Sequence, residues 1–310
     1  MVLFPEVIHR SLKPFIPLLL TSTLLAQSLE PRLYSNAPTD LNFLVVGYAH
    51  TEGALAENIL PTLIHPKLKA DIAVLAYARF LDVMGKSAKV DVIVPSVCLN
   101  GTATFKGAPA TREVCGLGDI KGRFSLNLWG APALSLKEFN TYKPDTIVGI
   151  SVQVTAPSGQ YDESKLINIS AHRWAVKPGV GVSKTMYDFT IEFATDVEFY
   201  SANDEGFGGS SRKQAPLYSA QVHGIYNFMP GLWMGLDANY YGGGAYTTTS
   251  INGTKRDDPL KNSRYGATLA LPVNRYNSVK LYANTGIFAR TGTDFTMAGF
   301  AWQYRFGAGL

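Results

Sequence analysis

The chain has 310 residues, 46% of them hydrophobic and only 17% charged, with a formal net charge of +4. So small a charge, with no basic run behind it, argues against a nucleic-acid partner. Mean hydropathy is near zero, which suits a soluble protein but equally a membrane barrel, where only half of each strand meets lipid.

The N-terminus reads as an export signal over residues 1–26. His9, Arg10 and Lys13 precede an apolar run from Phe15 to Leu25, interrupted by Pro17, and Ala26 offers a cleavage residue. Leu24, three positions before the cut, is larger than usual there. The run is too short for a spanning helix, and no later stretch approaches ~18 apolar residues, so helical spans are not expected. Residues 27–41 are expected as an N-terminal periplasmic or plug segment and residues 42–310 as the folded body.

Period-two alternation marks the body. From Tyr218 to Phe228 every second residue is apolar or small, and Ser219, Gln221, His223 and Asn227 stand between. Over about ten residues this means a strand with one greasy and one wet face. Similar patterns predict strands near 42–49, 70–80, 88–96, 118–128, 146–156, 174–184, 188–199, 217–228, 232–241, 263–271, 278–289 and 295–306. The expected fold is all-β. It is a transmembrane antiparallel up-and-down barrel of about twelve strands, with short helical segments in its loops, in the outer membrane of a Gram-negative bacterium. Long connections (50–69, 97–117, 157–173, 200–216, 242–262) alternate with short ones (81–87, 185–187, 229–231, 272–277), as extracellular loops alternate with periplasmic turns. Residues 129–145 break that rule, and Leu134, Leu136 and Phe139 suggest a short helix at the barrel base.

Parity assigns the faces. Phe189, Ile191, Phe193, Val197 and Phe199 face outward, with Asp188, Glu192, Asp196 and Glu198 inward. Carboxylates at mid-bilayer are costly, so this register is strongly fixed. Ile120, Phe124, Leu126 and Leu128 face outward opposite Lys121, Arg123 and Asn127. Val148, Ile150, Val152 and Val154 do so opposite Ser151, Gln153 and Thr155. The first strand is apolar on both faces over Leu41–Val46, and its parity stays open.

The inward charges are the first functional candidates: Lys121, Arg123, Lys177, Glu192, Asp196, His223 and Asp237, with Arg264, Lys280, Arg290 and Arg305 on later strands. Acidic and basic walls would orient a permeating polar molecule, or would simply neutralise each other in a wet lumen. Removing Glu192 is expected to alter ion selectivity. If Phe228 faces Leu232 across Pro230–Gly231, then His223 faces Asp237 and Gln221 faces Asn239. That pair is a ligand site, a pH-responsive latch or a structural ion pair. In the 157–173 loop, Tyr161, Lys165, His172, Arg173 and Trp174 offer stacking and ion pairing to an aromatic acid, or stitch the loop to the rim.

Cys98 and Cys115 fall in one predicted loop, and export favours a disulfide between them. No His or acid spacing suggests a metal, Gly242–Gly244 lack a phosphate-loop context, and no cofactor is expected. A hydrolase would need a nucleophile within reach of a base. His50, His65, His172 and His223 lack such a serine, Ser219 being four residues from His223, so an enzyme is not expected.

Several segments carry a family resemblance: Glu30-Pro-Arg-Leu-Tyr-Ser-Asn36, Leu41-Asn-Phe-Leu-Val-Val-Gly-Tyr48, Asp82-Val-Met-Gly-Lys-Ser-Ala88 and Gly116-Leu-Gly-Asp119. Gly130-Ala-Pro-Ala-Leu134, Pro157-Ser-Gly-Gln-Tyr-Asp162, Lys165-Leu-Ile-Asn-Ile169, Arg173-Trp-Ala-Val-Lys-Pro178 and Gln214-Ala-Pro-Leu-Tyr218 extend it over nearly all of the body. Together they resemble the outer-membrane transporter family labelled for the MetA pathway of phenol degradation. The resemblance implies a membrane barrel tied by name to aromatic compounds, with no catalytic residues to carry over. Many such barrels end on an aromatic residue, whereas here Gly-Ala-Gly-Leu follows Phe306. Trp302, Tyr304 and Phe306 remain to signal the barrel insertion machinery.

The expected function is passive uptake of small hydrophobic or aromatic compounds, with outer-membrane lipid and a small-molecule solute as partners. The alternatives are a general narrow pore for small polar or anionic solutes, or a plugged structural or adhesive barrel. Twelve strands leave a narrow lumen, which residues 27–40, 129–145 or 157–173 are expected to obstruct.

Overall fold

A computed structural model describes residues 20–21, 29–54, 63–105, 107–251, 253–291 and 294–310. The expected export signal lies outside them, except for Leu20–Thr21, which pair in parallel with Ile167–Asn168. The Arg290 side chain also lies outside.

Twelve antiparallel strands close into a barrel. In chain order they are β1 (Leu41–Ala54), β2 (Leu63–Val83), β3 (Lys86–Phe105), β4 (Lys121–Trp129), β5 (Thr146–Thr155) and β6 (Ala175–Met186), followed by β7 (Phe189–Tyr200), β8 (Leu217–Met229), β9 (Leu232–Gly243), β10 (Leu260–Pro272), β11 (Asn277–Thr291) and β12 (Asp294–Gly307). Each pairs with its neighbours in sequence, and β12 closes on β1 from Asp294↔Ala54 to Gly307↔Leu41. Closure leaves no sheet edge to satisfy in hydrocarbon. Among the described residues no helix is long and apolar enough to cross a membrane.

The outward face is the apolar one. Ile150, Val152, Val180, Val182, Ile191, Phe193, Val222 and Leu281 are all exposed there. Phe189 and Phe199 stand at opposite ends of this surface on β7. Ten residues at ~3.4 Å each, tilted by about 45°, span roughly 24 Å, the height of a lipid-facing belt. Trp129, Tyr187, Phe228 and Phe306 join Phe189 at the turn side. Trp174, Tyr218 and Tyr240 join Phe199 at the loop side. These two rings are where amphipathic aromatics settle at membrane interfaces.

The turns are short at one end, as expected. Met84–Gly85 joins β2 to β3 with φ of 54° and 76°, a pair of left-handed residues whose twist matches the flanking strands. The longer 129–145 connection holds α1 (Leu136–Phe139) at the barrel base. Its start is a capping box in which Ser135 and Glu138 satisfy each other's backbone N–H groups.

Three expectations are corrected, and the expected Cys98–Cys115 disulfide is present. Residues 97–117 are not a loop: β3 runs on to Phe105 and pairs there with a rim strand, Ala108–Leu117. Cys98 and Cys115 are register partners on that hairpin and are disulfide-bonded. Asp188 is not inward but exposed, in the two-residue turn between Met186 and Phe189. Phe228 does not face Leu232, because a bulge brings Met229 opposite Leu232. The open parity of β1 is resolved by burial: Leu41 and Ala49 point inward, Val46 and Tyr48 outward.

Candidate lumen site

The lumen is not empty. Residues 35–40 cross the turn-side end, where Thr39 donates to the Leu134 carbonyl and Asp40 N–H to that of Phe80. Leu29–Tyr34 then lie inside the barrel. Because they form no strand, their backbone needs partners from the wall, and the wall supplies them. Arg32 N–H donates to Glu192 at 2.7 Å, Glu30 N–H to Gln221 at 3.2 Å, and Lys89 Nζ to the Leu33 carbonyl at 3.3 Å.

Side chains fasten the same segment. Glu30 pairs with Arg123 and lies 3.5 Å from Lys177. Arg123 also holds Asp91, its cross-strand partner, at 3.1 Å. The Arg32 guanidinium donates to Asn227 and lies 4.7 Å from the Trp233 ring centroid. The Tyr34 ring rests on Gly149 and Gly181, which are register partners on β5 and β6, and any Cβ at either would run into the ring. The Tyr34 hydroxyl meets Ser151 Oγ at 3.1 Å. Two adjacent glycines thus form a flat slot sized to one aromatic ring.

The predicted inward residues fall into three groups. Arg123, Lys177 and Glu192 contact the segment directly. Asp196 accepts from Ser219 at 2.8 Å, and His223 pairs with Asp237 at 2.6 Å, with Thr268 donating to the same carboxylate. These last bonds tie β7 to β8 and β8 through β9 to β10, so that polar wall is stitched across strands. Lys121 faces inward on β4 by parity. Lys280 lines a cavity described below. Arg264 donates to Asn284 and covers the Phe295 ring, 3.6 Å from its centroid, whereas Arg305 is exposed at the turn-side end, donating to the Arg275 carbonyl. Glu30, Arg32, Tyr34, Lys89 and Asp91 were not among the candidates. The alternation on β3 marks Lys89 and Asp91 as inward; residues 30–34 fall in the segment expected to obstruct the lumen, but nothing local marks the wall residues they meet.

The 157–173 loop folds onto the outer rim. Tyr161 stacks on His172 at 4.4 Å and donates to the Glu205 carbonyl, while His172 Nε2 meets the Glu205 carboxylate at 2.7 Å. Burial raises the Tyr161 pKa above the ordinary phenol value, so it stays a neutral donor. Lys165 is exposed and does not reach the lumen. Arg173 is buried at the mouth between the Tyr200 and Tyr246 rings, with centroid distances of 4.3 and 5.4 Å, and donates to Gln214. Arg212 covers the other Tyr246 contact at 3.6 Å. Burial pulls its pKa down to about 10, still cationic at neutral pH. These residues hold together loops that carry a four-stranded rim sheet, 203–206, 210–214, 246–250 and 253–256.

Opposite the polar wall the lining changes character. Ala49, Ile72, Val97, Leu99 and Phe295 form an apolar cluster with Ile169 of the rim loop, and Val74, Tyr282 and Met297 pack against it. Below that cluster lies a cavity of about 410 Å³ between this wall and residues 29–33. Ala49, Ile72, Val74, Tyr282 and Met297 line it, so the greasy surface continues from the rim into the cavity. Lys89, Arg123, Asp237 and Lys280 line its other side. Among the described residues no group of three or more His, Cys, Asp or Glu could hold a metal.

Comparison with known families matches the family described as "Putative MetA-pathway of phenol degradation" to residues 61–306. The chain belongs to that family. A search of curated proteins finds no match. Among solved structures, the chain is similar to the COG4313 outer membrane channel from Pseudomonas putida F1, at 18% identity and a TM-score of 0.73, over 90% of this chain and 100% of that one. A weaker likeness is to the transport unit of the autotransporter AIDA-I from Escherichia coli (10% identity, TM-score 0.47, 92% and 94% of the two chains). Another is to the CymD monoaromatic hydrocarbon channel (9%, 0.47, 87% and 89%). The fold is that of an outer-membrane barrel of a Gram-negative bacterium.

Proposed function

We propose that the protein is a passive outer-membrane channel for small hydrophobic or aromatic compounds, with residues 29–36 as a displaceable stopper. The observation that carries this reading is the continuous apolar surface from the rim cluster into the cavity, inside a lumen otherwise lined by ions. Water gains nothing from such a strip, whereas an apolar solute leaving water does, by about 25 cal/mol per Å² covered. The stopper is attached by hydrogen bonds and ion pairs, which can exchange for water as it moves. The family's description, with its reference to phenol degradation, accords with an aromatic cargo. We assign no reaction to the chain: in the buried His223–Asp237 pair the Thr268 hydroxyl donates to the carboxylate and is not the imidazole's recorded partner. The stacked outward row Trp302–Tyr304–Phe306 on β12 supports recognition by the insertion machinery.

A second reading, a narrow pore for small polar or anionic solutes, is favoured by Lys89, Arg123 and Lys177 on the lumen wall. Liposome swelling with the full chain separates the two. Swelling in benzoate but not in arabinose is expected. Swelling in both supports the polar pore, and swelling in neither supports a structural or adhesive barrel.

A further inference from the structure

We infer that the cavity beside the stopper is a binding site for a small amphipathic monoanion, an aromatic or short-chain carboxylate, and that Lys280 is the residue that receives its charged head. The inference rests on the channel reading above and deepens it by naming the substrate class.

The unusual group is the Lys280 ammonium. It projects from β11 into the lumen, at membrane depth, and lines the 410 Å³ cavity. Among the described residues it has no hydrogen-bond or ion-pair partner, and its recorded contact is with the Trp233 ring, 5.7 Å from the centroid. Lys280 is half-buried and touches no anion, and a cation so placed gains by receiving a negative ligand. The other charges around the cavity do not meet that need. Arg123 is engaged by Asp91 and Glu30, and Lys89 lies 3.9 Å from Asp91. Asp237 is held by His223 and Thr268. Glu192, the carboxylate whose field reaches Lys280, accepts from Arg32 N–H and from Ser183. Anions are therefore spoken for, and Lys280 is the open position.

The rest of the cavity fits the remainder of such a ligand. Tyr282, two residues along the same inward face, and Met297, Ile72 and Val74 from β12 and β2 give an apolar wall. A volume near 410 Å³ lies at the small end of ligand sites, which suits a single ring or short chain. The apolar strip from the rim delivers the hydrophobic part, and the ammonium fixes which end leads.

The test uses full-length protein in detergent, with benzoate as probe and benzyl alcohol as its neutral counterpart, read by isothermal titration and by quenching of tryptophan emission. Benzoate is expected to bind at least about tenfold more tightly than benzyl alcohol, as charge-assisted contact requires. Lys280→Met is expected to lose that advantage, bringing benzoate to the affinity of benzyl alcohol, and Lys280→Arg to keep it within about threefold. Equal affinity for the two probes, or benzoate binding that survives Lys280→Met, overturns the inference. So does the absence of benzoate binding in the wild type. Swelling in benzoate that persists undiminished in Lys280→Met vesicles would overturn this site and leave the channel reading standing; the absence of swelling in wild-type vesicles would remove the channel reading itself.

Discussion

The two sides of the lumen hold the same segment in opposite ways. From β4 to β8 the wall is polar and stitched, and residues 29–34 are bound to it through Arg123, Ser151, Lys177, Glu192, Gln221 and Asn227. On the β1, β2, β11 and β12 side the wall is apolar and a cavity remains. A stopper fastened on one flank and loose on the other can be displaced without unfolding the barrel. On the proposed channel reading, the passage it blocks runs along the greasy flank.

That contrast can be broken from either side. The largest effect is expected from charging the apolar flank. Met297→Asp puts a carboxylate on the strip, which costs several kcal/mol to desolvate, so benzoate flux into vesicles should fall by about tenfold or more with the far-ultraviolet spectrum unchanged. Next comes the slot on the polar flank. Gly181→Val places a side chain where the Tyr34 ring sits, and eviction of the ring should raise single-channel conductance about fivefold, since a few kcal/mol of docking is lost. Gly224→Val, whose added Cβ meets nothing within 4 Å, is the control and should leave conductance as it was.

How much of this was legible in the sequence follows from what each signal depends on. All twelve strands, and the facing of β4, β5 and β7, come from a local period of two read against lipid. The His223–Asp237 pair follows from register alone and survives even though the bulge at Phe228 removed its premise. The upper parts of β2 and β3 escaped because the pattern inverts there. Ala70, Ile72, Val97 and Leu99 are buried inward, while Asp71, Lys69 and Asn100 face out. Above the bilayer the outside is water, so a search for greasy-outward strands stops near residues 70 and 96 and reads Lys69, Val97, Leu99 and Asn100 as loop. The seat of the stopper was illegible for another reason. Arg32 meets Glu192 and Glu30 meets Gln221 across separations of 160 and 191 residues, and nothing near residue 30 announces partners so distant.

Smaller effects sharpen the comparison. Glu192→Ala removes the acceptor of Arg32 N–H and of Ser183. It should lengthen open times about twofold and shift the reversal potential in a salt gradient toward anions, as the loss of one lumen carboxylate requires. The smallest effect is at the base. Hydrogen bonds from the Ser135 hydroxyl and backbone N–H hold the Glu138 carboxyl below its ordinary value of 4.5. Because the folded value is depressed, the capping contribution is complete above the unfolded value and is lost as pH falls through the folded one. Amide exchange at Phe139 should stay slow through the ordinary carboxylate range and accelerate only below it, and in Glu138→Gln it should show no such step.

The strands of this barrel are unequal in height. β4 has 9 residues and β5 has 10, whereas β2 has 21 and β3 has 20. At ~3.4 Å per residue and a tilt of about 45°, β2 climbs roughly 50 Å, about 25 Å more than hydrocarbon needs. That surplus stands beyond the lipid-facing belt on the loop side, stiffened by the Cys98–Cys115 bond. One side of the mouth is therefore a chimney wall. Its inner surface is the start of the greasy strip, which on the proposed channel reading gives a molecule from the medium a rigid sheltered ramp before it reaches the plane of the lipid.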